Sequence, residues 1–124
     1  MHAIRWFEIA AADLERAFHF YQDVFPGRVR MGTFGGSGLV LFDADFQQGA
    51  EVGGSIVFRP DFVPSPSGPL LYLSATEPIH RVTERIKQAG GELIVPLLDL
   101  GKFGFAAIFI DSEGNRLGIL SHEA

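Results

Sequence analysis

Apolar and polar positions alternate unevenly along the first residues of the chain. From Ala3 to Ile9 they put Ile4, Trp6 and Glu8 on one face of an extended segment and Arg5, Phe7 and Ile9 on the other. With apolar bulk on both faces, the pattern predicts a strand that is covered on both sides or lines a cavity on one. The period then changes. Leu14, Ala17, Phe18, Tyr21 and Phe25 recur at helical spacing behind Asp13, whose carboxylate suits an N-cap, and Pro26-Gly27 ends the run.

Strands are predicted for Arg28 to Phe34 and Leu39 to Phe42, joined by a turn at Gly35-Gly36-Ser37-Gly38, and for Glu51 to Phe58, with Gly53-Gly54 inside it. The stretch Pro60 to Pro69, PDFVPSPSGP, fits neither sheet nor helix. Beyond it the opening pattern returns. Leu70 to Ala75 reads as a strand, Thr76 or Glu77 as a cap with Pro78 in the first turn, and Ile79, Val82, Ile86 and Ala89 as a buried stripe closed by Gly90-Gly91. Leu14 aligns on Ile79, Ala17 on Val82 and Tyr21 on Ile86, which makes the second half a degenerate copy of the first. Leu93 to Leu98, interrupted by Pro96, is expected to be a short or edge strand, and Phe105 to Ile110 pairs with Arg116 to Ser121 across a turn at Asp111 to Asn115.

The pattern therefore predicts an α+β fold of two βαβββ modules, at about 3–59 and 69–121, joined by a proline-rich linker at 60–68 within one domain. A mixed sheet with helices on its outer face leaves a concave inner face where a small ligand would sit.

Composition narrows the partners. At 124 residues, 47% hydrophobic and 20% charged, the chain can build a real core. A net charge of -5 with scattered basic residues argues against nucleic acid and weakly favours cationic ligands. No cysteine is present, so thiolate metal sites and cysteine nucleophiles are out. Neither a signal peptide nor a membrane-spanning apolar run is visible, and a soluble, cytoplasmic protein is expected.

Three motifs occur in order: Asp13, Leu14, Ala17, Phe20 and Tyr21 in the first helix; Ala89, Gly90 and Gly91 after the second; and Asp111, Gly114, Asn115 and Arg116 before the last strand. Together they resemble the vicinal oxygen chelate superfamily, the group of glyoxalase I, extradiol dioxygenases and the bleomycin-resistance proteins. The resemblance runs from about Ala3 to Ser121 and implies the glyoxalase/bleomycin resistance/dihydroxybiphenyl dioxygenase fold. It also implies pairing into homodimers. Metal enzymes of that group carry a His or Glu on the first and last strand of each half. Here those positions fall on Trp6, near Gly53 or Gly54, on Leu70 and on Gly118, none of which is a metal ligand, and Glu51 is the carboxylate at the start of its strand. His2, His19, His80 and His122 have no recognisable metal-site spacing.

The expected function is accordingly a metal-free, cofactor-free small-molecule-binding protein for an apolar or planar ligand, cationic ones included. Its candidate ligand-binding residues are Trp6, Glu8, Gly54, Leu70, Tyr72, Ser74, Arg116 and Gly118. Ordinary explanations stand beside each. Trp6 is more readily plain packing, and Glu8 is as readily a structural partner of Arg28, Arg30 or Arg116. Two other classes stay open: a lyase or isomerase with Glu8 as general base or with metal ligands in another register, and an interaction protein whose pocket is filled by its own side chains.

Overall fold

The computed structural model describes residues 3–43 and 52–124. The expected Glu51 carboxylate and His2 lie outside the described residues. The chain forms two compact units, Met1–Pro64 and Ser65–Ala124. Each is a βαβββ module with its own four-stranded mixed sheet, the fold class that the periodicity predicts.

In the first unit, β1 (Trp6–Ala10) leads into α1 (Leu14–Val24), followed by β2 (Val29–Phe34), β3 (Ser37–Phe42) and β4 (Gly53–Val57), in the sheet order β1-β4-β3-β2. The β1 and β4 strands are parallel, and the other pairs are antiparallel. Asp13 caps α1 by accepting from the Arg16 amide at 3.0 Å. The buried stripe is Ala17, Phe20, Tyr21 and Val24. Phe18, expected in the stripe, is only half-buried, because Phe20 takes the neighbouring place on the core side. Gly35 and Gly36 alone make the hairpin turn, both at positive φ, as a two-residue turn that follows strand twist requires, and Ser37 and Gly38 already belong to β3.

The core lies between α1 and one face of this sheet. The Phe42 ring meets Tyr21, Phe25 and Phe7 edge-on, at centroid separations of 5.9, 5.4 and 6.1 Å. Phe7 and Phe42 are the lateral neighbours of Gly54 on either side. A Cβ at Gly54 would stand 2.5 Å from the Phe7 ring, so the bare glycine gives that ring room to lie across the sheet.

In the second unit, β5 (Tyr72–Ser74), α2 (Ile79–Gln88), β6 (Glu92–Asp99), β7 (Phe105–Ile110) and β8 (Arg116–Ser121) form a sheet of order β5-β8-β7-β6. A single 3₁₀ turn at Gly101–Phe103 occupies the loop before β7. The β6 strand is an edge, as Pro96 implies, but at eight residues it is not short: register shifts on either side of Val95 absorb the proline. Ile79, Val82, Thr83 and Ile86 of α2 are buried in this unit, along with Leu73, Ala107, Phe109, Leu117 and Ile119 of its sheet.

The start of α2 departs from expectation. Neither Thr76 nor Glu77 caps it. Pro78 holds the N-cap position without a side-chain bond, and the first amides are met from the far end of the unit: Ile79 donates to the Glu123 carbonyl at 3.0 Å and His80 to that of Ala124 at 2.9 Å. The Ser121 hydroxyl, donating to the Glu77 carbonyl at 2.6 Å, fastens the same corner. Glu77 itself forks onto Arg85. At the other end, Gly91 and Gly90 donate back to Ile86 and Lys87, with Gly90 at positive φ, closing the helix in a Schellman arrangement.

Candidate functional site

The face of each sheet away from its helix is the place where side chains are free to meet a ligand. In the first unit this face carries Trp6, Glu8 and Ala10 of β1, opposite Gly53, Ser55 and Val57 of β4. Leu41, beside Ser55 in the ladder, continues it as an apolar floor. Trp6 is 39% exposed and Ser55 is fully buried, and the indole Nε1 donates to Ser55 Oγ at 3.3 Å. This bond spans neighbouring strands and fixes the indole over the sheet. Gly54, expected beside Trp6, points the other way, towards Phe7 and α1; Gly53 pairs with Trp6 on this face, and Ser55, one step further along it, meets the indole diagonally.

Glu8 does have a basic partner, but not Arg28, Arg30 or Arg116. Arg59, just beyond β4, reaches it with two prongs, 2.6 and 3.1 Å from its carboxylate oxygens. These hydrogen bonds hold the Glu8 carboxyl below its ordinary range and raise Arg59 above its own. The guanidinium also lies 5.2 Å from the Phe62 ring centre, so a cation–π contact adds to its orientation. Arg28 is engaged elsewhere, paired with Asp43 and stacked near the Phe25 and Phe42 rings.

In the second unit the corresponding face carries Tyr72 and Ser74 of β5 and Arg116, Gly118 and Leu120 of β8. Tyr72 pairs with Gly118 across the parallel ladder, and its ring lies so close over the glycine that a Cβ there would come within 2.5 Å of it. The ring remains 47% exposed. Leu70 precedes β5, although the ladder extends to Leu71, whose carbonyl accepts from the Gly118 amide at 2.8 Å. Arg116 opens β8 directly after a tightly bonded loop. Asp111, 4% exposed, accepts from the amides of Glu113 and Asn115 through one oxygen and from the Asn115 side chain through the other. The Asn115 side-chain oxygen accepts from the Ser65 amide at 3.1 Å. This motif therefore does structural work: it closes the hairpin, anchors the start of the unit and sets where Arg116 begins.

Two matching bonds align the modules internally. Ala11 donates to the Val57 carbonyl and Ala75 to that of Leu120, both at 2.8 Å. Counting back from these, Trp6 matches Leu70, Glu8 matches Tyr72, and Ser55 matches Gly118. The positions that the resemblance gives for metal ligands in the second unit, Leu70 and Gly118, thus have Trp6 and Ser55 as their internal counterparts in the first, where the sequence pattern points to Trp6 and to Gly53 or Gly54. Such a site needs imidazole or carboxylate lone pairs. An indole N–H, a hydroxyl already accepting from it, an alkyl chain and a glycine do not supply them, and the residues do not fit the metal. Among the described residues no group of three or more His, Cys, Asp or Glu is placed to hold a metal ion. His19 and His80 sit on exposed helix faces, and the His80 ring contacts the Ala124 carbonyl.

A shallow depression of about 600 Å³ runs along the outer side of α2 past His80, Arg81 and Glu84. Polar and charged residues alone line it, among them the Glu84–Lys87 pair. No helix among the described residues is long and apolar enough to cross a membrane.

The family model for the Glyoxalase/Bleomycin resistance protein/Dioxygenase superfamily matches residues 3–119. No curated protein matches the chain in sequence. Solved structures with the same fold include a glyoxalase/bleomycin resistance protein from Albidiferax ferrireducens T118, at 18% identity and a TM-score of 0.71 over 97% of this chain and 99% of that one. TnmS3, an antibiotic binding protein from Streptomyces sp. CB03234, aligns at 20% identity and a TM-score of 0.65 over 98% and 96% of the two chains. The fosfomycin resistance protein FosX from Listeria monocytogenes aligns at 16% identity and a TM-score of 0.67 over 98% and 93%. At these identities the structures establish a common fold, and the family match establishes membership: the chain belongs to the glyoxalase/bleomycin resistance protein/dioxygenase superfamily.

Proposed function

We propose that this protein is a cytoplasmic, metal-free small-molecule-binding protein, assembled as a homodimer, that takes a planar apolar ligand on the sheet faces turned away from its helices. The observation that carries the reading is the Trp6–Ser55 hydrogen bond. It ties up the Trp6 indole and the Ser55 hydroxyl with each other, on the face where metal ligands would stand, and it leaves the indole fixed and 39% exposed. The antibiotic-binding role of TnmS3 supports the same use of the scaffold.

Glu8 as a general base is the weaker reading. A base must hold a proton well near neutral pH, and the Arg59 fork makes Glu8 a poorer proton acceptor. The same pairing neutralises the charge that would have attracted a cationic ligand.

Trp6 is the chain's only tryptophan, so its fluorescence reports the proposed site directly. A panel of planar aromatic compounds is expected to contain members that quench it saturably and raise Tm. A divalent ion at one equivalent in purified protein would overturn the metal-free reading. Light scattering giving a monomer mass would overturn the dimer.

A further inference from the structure

Two polar groups on the helix-free face of the second sheet remain uncommitted. Among the described residues, neither the Tyr72 hydroxyl nor the Arg116 guanidinium has a hydrogen-bond or ion-pair partner. Both side chains are exposed. They are also near each other by construction: Tyr72 pairs with Gly118, and Arg116 is the next residue of β8 on that face, roughly 7 Å along the strand. Gly118 matters to both. Its missing side chain lets the Tyr72 ring lie across β8, with one side against backbone and the other open. Around them the face is apolar, with Ile108 beside Gly118 and Leu120 beside Ser74.

We propose that this face binds a planar aromatic ligand bearing an ionised carboxylate, its ring stacked on Tyr72 and its carboxylate held by the Arg116 fork. This rests on the small-molecule-binding reading above and adds the chemical class of the ligand. The charges nearby support it. Glu92 shares the cross-strand row of Arg116 but stands two strands away beyond Ile110, and makes no ion pair with it. A guanidinium with no carboxylate of its own favours a planar, two-oxygen anion, which matches its fork geometry. The net charge of -5 opposes anions only at long range, where salt screens it over about 8 Å.

The test compares 2-naphthoate with its uncharged counterpart 2-naphthamide and the cationic 2-naphthylmethylammonium, by calorimetric titration of the full chain. Wild type is expected to bind naphthoate about tenfold more tightly than naphthamide. Arg116→Gln is expected to abolish that preference while leaving naphthamide affinity unchanged, and Tyr72→Leu to weaken both. Arg81→Gln, which makes the same change in net charge on exposed α2, is expected to leave the preference intact. Naphthamide or the ammonium compound binding as tightly as naphthoate, or a preference that survives Arg116→Gln, overturns the anion assignment alone. If none of the three binds and no planar compound of the wider panel does, both this inference and the binding reading fall.

Discussion

Glu8 and Arg59 lie 51 positions apart in the chain and meet in a two-pronged ion pair on the same face as Trp6. Because Arg59 lowers the proton affinity of Glu8 in the folded state, the pair contributes stability above the ordinary carboxylate range. That contribution is lost as the pH falls through the depressed folded value. Glu8→Gln is therefore expected to flatten the acid side of the Tm-against-pH profile and to change Tm only slightly near neutrality, since both side chains are well exposed. An acid limb identical to wild type would show that the pair does not persist in solution.

The glycines at Gly54 and Gly118 are each overlain by an aromatic ring, yet their substitution should have unequal consequences. At Gly54 the overlying Phe7 is wedged against Phe42, so Gly54→Ala is expected to destabilise by about 1–3 kcal/mol in chemical denaturation. Tyr72 has solvent on its open side, and Gly118→Ala should push the ring away at a stability cost under about 1 kcal/mol while weakening aromatic ligands. Equal losses of stability at the two sites would contradict this assignment of faces.

Asp111→Ala removes the acceptor for three donors in a buried loop and is expected to cost about 2–4 kcal/mol. Asn115→Ala should cost less and also free the Ser65 amide, which hydrogen exchange would register as loss of protection at that position. Retained protection at Ser65 would mean the amide has another partner.

Removing Glu123 and Ala124 takes away the carbonyls that receive the first amides of α2, and a loss of about 1–2 kcal/mol is expected, as for other lost caps. Faster exchange confined to Ile79 and His80 is the accompanying signature. Unchanged exchange there would argue that water serves those amides equally well.

What could be read in the residues divides by the range of the interaction. The Asp13 cap, the Gly35-Gly36 turn, the Gly90-Gly91 closure and the Phe105-to-Ser121 hairpin are local, each encoded within a few residues of itself, and were legible. Trp6 and Glu8 sharing a face followed from strand alternation alone. The facing of Gly54 did not, because it depends on how β4 registers against β1, and adjacent glycines carry no side-chain pattern to reveal it. The Arg59 partner of Glu8 and the carbonyls that cap α2 come from distant parts of the chain. Nothing near Glu8 or Pro78 announces them.

The crossing at the start of α2 also orders events in time. Its first turn is completed only when Glu123 and Ala124 arrive beside Ile79 and His80, a closure spanning 44 residues in the His80–Ala124 contact. Such a loop must lose its entropy before the contact returns any energy, so the helix cannot be finished as an autonomous early nucleus. In the second unit the α2 amino end is expected to consolidate with β8, late in folding. Substitutions at Ser121 should then speed unfolding more than they slow folding.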